Sequence, residues 1–210
     1  QESHDTQNLS REFLITIDFN SRMDRETSIH KLDNFIRDII GYSRNSRLSL
    51  KRELIDFEKL ISGCMESLAY LEERQYVQHT IDVSLRAPFQ SDPTRLEIIC
   101  NNILSNAIRY ADREKAHSFL HISVSEADED HIMLKFSDNG IGINQAYMDK
   151  IFNMFYRGTQ VGHGSGIGLY IVKEATGKLG GTVWVESIEG EGSTFYIRIP
   201  RKRVEVIEEI

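Results

Sequence analysis

Between residues 50 and 199 the hydrophobic pattern switches repeatedly from one period to another, and this switching narrows the possible folds more than any other feature of the chain. Residues 50–55, 80–85, 119–125, 132–137, 182–186 and 193–199 alternate apolar and polar side chains, as strands with one buried face do. Between them, Phe57, Leu60, Ile61, Met65 and Leu68 recur at helical spacing behind Asp56, a capping side chain, which predicts a helix over 56–71. Ser91-Asp92-Pro93 sets a capping side chain before a proline at the first helical position and opens a helix running to about residue 110. A further helical stretch follows the glycine-rich residues 158–168 and ends near residue 179. Polar turns at 126–131, at Asp138-Asn139-Gly140 and at Glu189-Gly190-Glu191-Gly192 separate the strands. Strands interleaved with helices predict an α/β fold, a two-layer sandwich with sheet on one side and helices on the other.

Ahead of this region, residues 8–47 contain no proline and one glycine, Gly41. Ile29, Leu32, Ile36 and Ile39 follow a 3-4-3 spacing, with Phe35 and Ile40 widening the stripe, so this helix carries an apolar seam that needs a partner helix. Residues 18–28 lose the period, and one long helix or two joined near Ser21 both fit. The chain thus divides into a helical segment at 1–48, an α/β domain at 49–200 and a charged tail at 201–210 with no assignable motif. With 210 residues, 40% of them hydrophobic, it can bury a real core. A formal net charge of -7 argues against nucleic acid as a partner, because such binding draws on Lys and Arg arrayed along phosphates. Cys64 and Cys100 lie in apolar, helical-looking runs and read as buried free thiols, which suits a reducing compartment. No run approaches the roughly 18 apolar residues of a membrane span, so the expected location is cytoplasmic, whether or not the parent protein is membrane-anchored.

Four short pieces carry chemistry. On the helix from Pro93, Asn102, Asn106, Arg109 and Tyr110 share a face at steps of four, three and one; amide oxygens one turn apart can ligand a hard cation such as Mg²⁺, and Arg109 can hold phosphate, although paired asparagines also serve as caps. Asp138-Asn139-Gly140-Ile141-Gly142 follows a strand directly, so a carboxylate stands where it can accept from an exocyclic amine; a tight turn closed by an Asx bond fits equally. In Phe152-Asn153-Met154-Phe155-Tyr156-Arg157 the aromatics read as core and the arginine as surface. Gly162-His163-Gly164-Ser165-Gly166-Ile167-Gly168-Leu169 enters a helix, whose N–H groups and dipole suit phosphate, yet it lacks the P-loop lysine and the strand-then-loop order of a dinucleotide fold.

Taken in this order, the pieces resemble the N, G1, F and G2 boxes of the histidine-kinase ATP-binding domain, over residues 50–200. The resemblance implies the Bergerat fold shared with gyrase-type ATPases: a two-layer α/β sandwich with a mixed sheet, preceded by a long helical segment. Residues 31–40 and the following Tyr42-Ser43-Arg44-Asn45 resemble the second helix of the dimerisation and histidine-phosphotransfer domain. The resemblance further implies that Mg-ATP binds with Asn106 on the metal, Asn102 and Arg109 near the phosphates and Tyr110 against the nucleotide. Asp138 would read adenine, with Gly140 and Gly142 leaving room for the base. Tyr156 and Arg157 would border the nucleotide, Gly164, Ser165, Gly166, Gly168 and Leu169 would carry the phosphate side, and residues 157–163 would form a lid that orders with ligand.

In that family the phosphoryl acceptor is a histidine followed by an acidic residue and typically Leu-Arg-x-Pro. His4-Asp5 lacks the arginine and proline, His30 is followed by Lys31, and His79, His117, His121 and His131 fall in strands or turns, while His163 reads as a solvated loop residue. The expectation is therefore that the acceptor helix lies upstream of residue 1 and that this chain alone does not autophosphorylate. The resemblance implies relay to an aspartate of a response-regulator receiver domain, and homodimerisation of the full-length protein through the helical seam. In gyrase-type relatives a glutamate activates water at the position aligned with Asn102, and an amide is a poor base, which favours transfer over hydrolysis. A hydrolysing clamp, a nucleotide-sensing scaffold without catalysis, and a serine kinase of the anti-sigma-factor type stand as alternatives.

Overall fold

The computed structural model describes residues 49–156 and 166–201. The helical segment and its seam, His4, His30, Arg157, His163, Gly164, Ser165 and residues 202–210 lie outside the described residues.

The main sheet has five strands in the order β2-β4-β5-β7-β6: β2 (Val77–Ser84), β4 (Ser118–Glu126), β5 (His131–Asp138), β7 (Gly192–Pro200) and β6 (Thr182–Ile188). β2 runs parallel to β4 and the other neighbours are antiparallel, so the sheet is mixed as expected. The alternation seen in the sequence sets its two faces. Ile122 faces Phe136 across β4 and β5, Phe136 faces Phe195, and Leu120, Val124, Ile132, Leu134, Ile197 and Ile199 complete a buried inner face. The outer face mixes polar side chains with Phe119, Met133, Trp184 and Ile188, and Trp184 stacks on Tyr196 at 5.0 Å between centroids with Lys135 Nζ over the tyrosine ring. Helices α1 (Phe57–Ser67), α2 (Pro93–Arg109) and α3 (Gly168–Lys178) form the second layer, and α2 packs on both of the others.

α2 begins where Ser91-Asp92-Pro93 predicts. Asp92 Oδ1 accepts from the Arg95 N–H at 3.0 Å, and Oδ2 accepts from the Arg95 guanidinium at 2.5 Å and from the Lys51 N–H at 3.0 Å. Both side chains are 3% exposed, so one buried carboxylate caps the helix, pairs an arginine and fastens the incoming chain. Cys64 on α1 and Cys100 on α2 are buried free thiols, and the hydrogen bond between them, which favours the protonated Cys100 thiol, together with burial holds that thiol well above its usual range.

Some boundaries differ from the pattern. The first strand shrinks to β1 (Glu53–Leu54), which pairs antiparallel with β3 (Gln90–Ser91), a two-residue strand too short to leave a period. α1 stops at Ser67 because Leu68, Ala69 and Leu71 each donate to the carbonyl three residues back, tightening the chain into the 3₁₀ turn Glu72–Tyr76 that feeds β2 at Val77. The histidines of the described region make local contacts: His79 with Arg74, His121 with Thr80, His131 with Asp128, and the His117 carbonyl with Asn139. No helix among the described residues is long and apolar enough to cross a membrane.

Breaking the buried pair leaves Arg95 without its carboxylate and uncaps α2. Asp92→Ala is therefore expected to lower the unfolding free energy by about 3–5 kcal/mol, read from urea denaturation of the full chain.

Candidate functional site

α2 buries Leu96, Ile99, Cys100, Ile103, Leu104, Ala107 and Ile108, which turns Asn102, Asn106 and Arg109 to its half-buried flank. Asn102 Nδ2 donates to the Ile98 carbonyl at 2.8 Å. Its Oδ1 stands against the first residue of α3: a Cβ on Gly168 would lie 2.8 Å from it. The glycine lets the amide approach the start of that helix. Arg109 ends the same flank, and its buried Nε has no hydrogen-bond partner among the described residues. A buried guanidinium N–H left unpaired is costly, so this atom marks where an anionic partner would be accepted. Tyr110 caps α2, donating its N–H to Asn106 O at 2.9 Å and accepting the Ile141 N–H at 3.0 Å. The C-terminus of the helix is thereby tied to the loop after β5.

Asp138 is the last residue of β5. Burial is the main influence on its carboxyl and raises it to about 6, while N–H groups of Gly140 and Ser193 and the charge of Lys115 pull the other way. The Gly140 N–H donates to Oδ1 at 2.9 Å, so the Asx turn forms and the carboxylate is steadied by it; the turn and a ligand-facing role are compatible. The glycines that follow have a reason within the protein itself. A Cβ on Gly140 would meet Tyr110 O at 2.4 Å, and one on Gly142, at φ +66°, would meet Ile188 O at 2.0 Å. At both Cβ positions the chain's own backbone fills the space, so the close packing of neighbouring loops by itself requires glycine at each.

Ile151 is buried and Phe152 and Tyr156 pack partly buried against the core, as read from the aromatic run, with Tyr147 and Tyr156 rings 6.1 Å apart. Phe155 adopts φ 64°, a conformation that no sequence signal announced. Gly166, at φ +75°, fits against it, since a Cβ there would lie 2.9 Å from Phe155 C and 3.0 Å from Tyr156 O. Leu169 packs against the core. The predicted residues thus meet in two groups, Asn102 with Gly168 and Tyr110 with Asp138 and Gly140, joined by one helix that also carries Asn106 and Arg109.

Sequence reasoning missed three contributors. Lys115, in a polar loop that reads as solvated, sends its ammonium to the carbonyls of Asn139, Gly140, Gly190 and Glu191. Ser187 Oγ accepts the Ile143 N–H at 2.8 Å. Gly192, read as a turn residue, also lets β7 pass Asp138, whose carbonyl oxygen would be 2.1 Å from a Cβ. The glycine pattern of that turn was the only available signal.

The folded chain holds the Asp138 proton up to about pH 6, above an ordinary carboxyl, so more protons are bound folded than unfolded between about pH 4 and 6. Stability therefore falls as pH rises through that window. Asp138→Asn, which keeps an acceptor for Gly140 without the charge, is expected to stabilise the ligand-free chain by about 1–2 kcal/mol at pH 7.5 and to have little effect at pH 4. Urea unfolding at the two pH values checks this.

Residues 91–203 match the family described as histidine kinase-, DNA gyrase B-, and HSP90-like ATPase. The chain is 31% identical over 178 residues to the aerobic respiration control sensor protein ArcB of Escherichia coli K12, covering 80% of this chain and 22% of that protein. It is 28% identical over 185 residues to the sensor histidine kinase WalK of Bacillus subtilis, covering 84% and 30%. Cyanobacterial phytochrome A of Nostoc is 32% identical over 174 residues, covering 80% and 22%. The chain thus spans well under half the length of these relatives. Among solved structures, full-length ShkA in complex with AMPPNP superposes with a TM-score of 0.70 at 24% identity, over 86% of this chain and 38% of that one. The histidine kinase AdeS of Acinetobacter baumannii gives 0.67 at 23% identity, over 94% and 95%. The structural likenesses agree with the mixed-sheet sandwich described above, and the match over residues 91–203, with relatives that are themselves sensor kinases, places the chain in the histidine kinase-, DNA gyrase B- and HSP90-like ATPase family as a domain of the sensor-histidine-kinase catalytic type.

Proposed function

We propose that residues 49–200 bind Mg-ATP and present its γ-phosphate to a histidine on a helical domain of the same protein, for relay to a response-regulator aspartate. The observation that carries this reading is one helix flank with a buried carboxylate near Tyr110 and an unpartnered buried Arg109 Nε at its C-terminal end and the Asn102–Gly168 contact about two turns earlier. From Asn102 to Tyr110 the helix rises about 12 Å, a length that an extended nucleoside triphosphate can follow. In this reading Asp138 accepts from the adenine amine and Tyr110 lies against the nucleotide. Arg109 and Asn102 meet the phosphates, and Gly166, Gly168 and Leu169, with Gly164 and Ser165, form the phosphate side at the start of α3. Tyr156 and Arg157 border the site.

An amide-oxygen donor fits a hard, partly hydrated cation that arrives with phosphate, and Asn106 is the residue that would hold Mg²⁺. When bound, the ion neutralises phosphate charge; the chain's own residues orient the nucleotide and supply positive charge, which is most of what phosphoryl transfer asks of a protein. Asn102 favours transfer over hydrolysis. Its amide is no base, and Nδ2 is already committed to the Ile98 carbonyl. Residues 1–48 are proposed as part of the dimerisation and phosphotransfer domain, with the apolar seam supporting a homodimer in the full-length protein, and 201–210 as a charged tail. That ShkA was solved with AMPPNP supports the choice of nucleotide.

The test is to supply a histidine-bearing acceptor helix in trans with the chain and Mg-ATP. Acid-labile, alkali-stable phosphate is expected on the acceptor, reduced at least about a hundredfold by Asn106→Ala. Tight ATP binding with no phosphate on the acceptor would instead establish a non-catalytic scaffold, and steady-state hydrolysis lost on Asn102 replacement would establish a clamp.

A further inference from the structure

The loop from α2 to β4 contains one feature that neither the expected nucleotide contacts nor the core requires. Lys115 Nζ lies 2.7 Å from Asn139 O, 3.2 Å from Gly140 O, 2.8 Å from Gly190 O and 3.1 Å from Glu191 O. An ammonium has three N–H donors, so four carbonyls exceed its capacity and share them. Two of these oxygens belong to the loop leaving Asp138 and two to the turn between β6 and β7. The side chain is only 27% exposed, and its nearest acid, Asp112 Oδ2, is 4.0 Å away. That distance is longer than any of the carbonyl contacts, so the lysine serves the backbone first.

The same loops are tied by other bonds, which makes the ammonium the centre of a closed arrangement. Gly190 N–H donates to Ile141 O at 2.8 Å and Ile141 N–H to Tyr110 O at 3.0 Å. Asn139 bridges outward, accepting the Phe119 N–H and donating to the His117 carbonyl, both at 2.8 Å. Of the two acids in the β6–β7 turn, Glu191 meets Lys115 through its carbonyl oxygen, and Glu189 accepts from Asn144 at 2.6 Å. Apart from the uncharged Gly140 and Ser193 N–H donors, Lys115 is the charged side chain acting on the Asp138 carboxyl, and it favours the ionised form.

We propose that Lys115 is a positioning residue of the nucleotide site: its ammonium gathers the loop after β5 and the β6–β7 turn onto one point and so holds the Asp138 carboxylate where the adenine amine must meet it. This rests on the nucleotide reading above. Lys115 touches no ligand atom in this account and acts only through Asp138 and its loop. Its removal has two consequences. The loop loses its tie, and Asp138 loses the charge that helps keep it ionised.

The test uses the full chain with Lys115→Met, Lys115→Gln and Lys115→Arg, each checked for folding by circular dichroism. Carbon-13 NMR follows the Asp138 carboxyl without ligand, and calorimetry follows ATP binding from pH 5.5 to 8. The unaltered chain is expected to titrate at about 6 and to lose ATP affinity below that pH. Each neutral variant should titrate about half a pH unit higher and bind ATP several-fold more weakly at pH 7, with the fall-off displaced upward by the same amount. Lys115→Arg should restore the titration while recovering only part of the affinity. A purely structural lysine would lower the melting temperature and leave both midpoints unmoved, which overturns the proposal. If Lys115→Met does not fold, Lys115→Gln, which keeps amide donors for the carbonyls, is read in its place. Failure of the unaltered chain to bind ATP would overturn the nucleotide reading, and the ligand-free titration would still decide whether Lys115 governs Asp138.

Discussion

A carboxylate buried at the end of a central strand has to be surrounded by donors, and the loops of this domain are arranged around that need. Asp138 closes β5, receives the N–H groups of Gly140 and Ser193, and lies beside loops that Lys115 draws together. Gly140 and Gly142 have no side chain because the neighbouring backbones of Tyr110 and Ile188 occupy that space. Burial nonetheless holds Asp138 up at about 6, so at neutral pH the fold keeps an ionised group in a place that disfavours it. Its charge therefore costs the empty domain stability at neutral pH, a trade that functional sites often make.

The second constraint is the direction of α2. Its N-terminus is set by Asp92, which caps the helix, pairs Arg95 and takes the N–H of Lys51 in the entering chain, while β1 clips onto β3 immediately before it. Its C-terminus is set by Tyr110 and Ile141. With both ends fixed, the flank bearing Asn102, Asn106 and Arg109 keeps one orientation relative to Asp138 and to Gly168 at the start of α3. Positioning of this kind is what a phosphoryl-transfer site asks of its scaffold.

Much of this was legible in the residues. The strands β4, β5 and β7 could be read because each alternates strictly between a buried and an exposed face, and α2 because cap, proline and apolar period agree. Asp138 could be placed because a turn signal follows a strand without a gap. The fine structure around it could not. β3 is two residues long and carries no period, α1 ends early through local 3₁₀ bonding, and Phe155 takes a left-handed conformation that phenylalanine gives no hint of. Lys115 was invisible for another reason: a lysine among polar loop residues looks solvated, and only the tertiary meeting of residues 139–140 with 190–191 reveals its partners. Arg157, Gly164 and Ser165 lie outside the described residues, so their proposed roles rest on the resemblance alone.

The proposed function stands or falls on whether Asp138 accepts from the exocyclic amine of adenine. Calorimetric titration of the full chain with ATP and with inosine triphosphate, at pH 7.5 and with Mg²⁺ present, tests it most directly, because the two nucleotides differ where that amine is replaced by a carbonyl oxygen. Inosine triphosphate is expected to bind between about ten and a hundred times more weakly, since an acceptor would then face an acceptor. Equal affinity for the two nucleotides would contradict it.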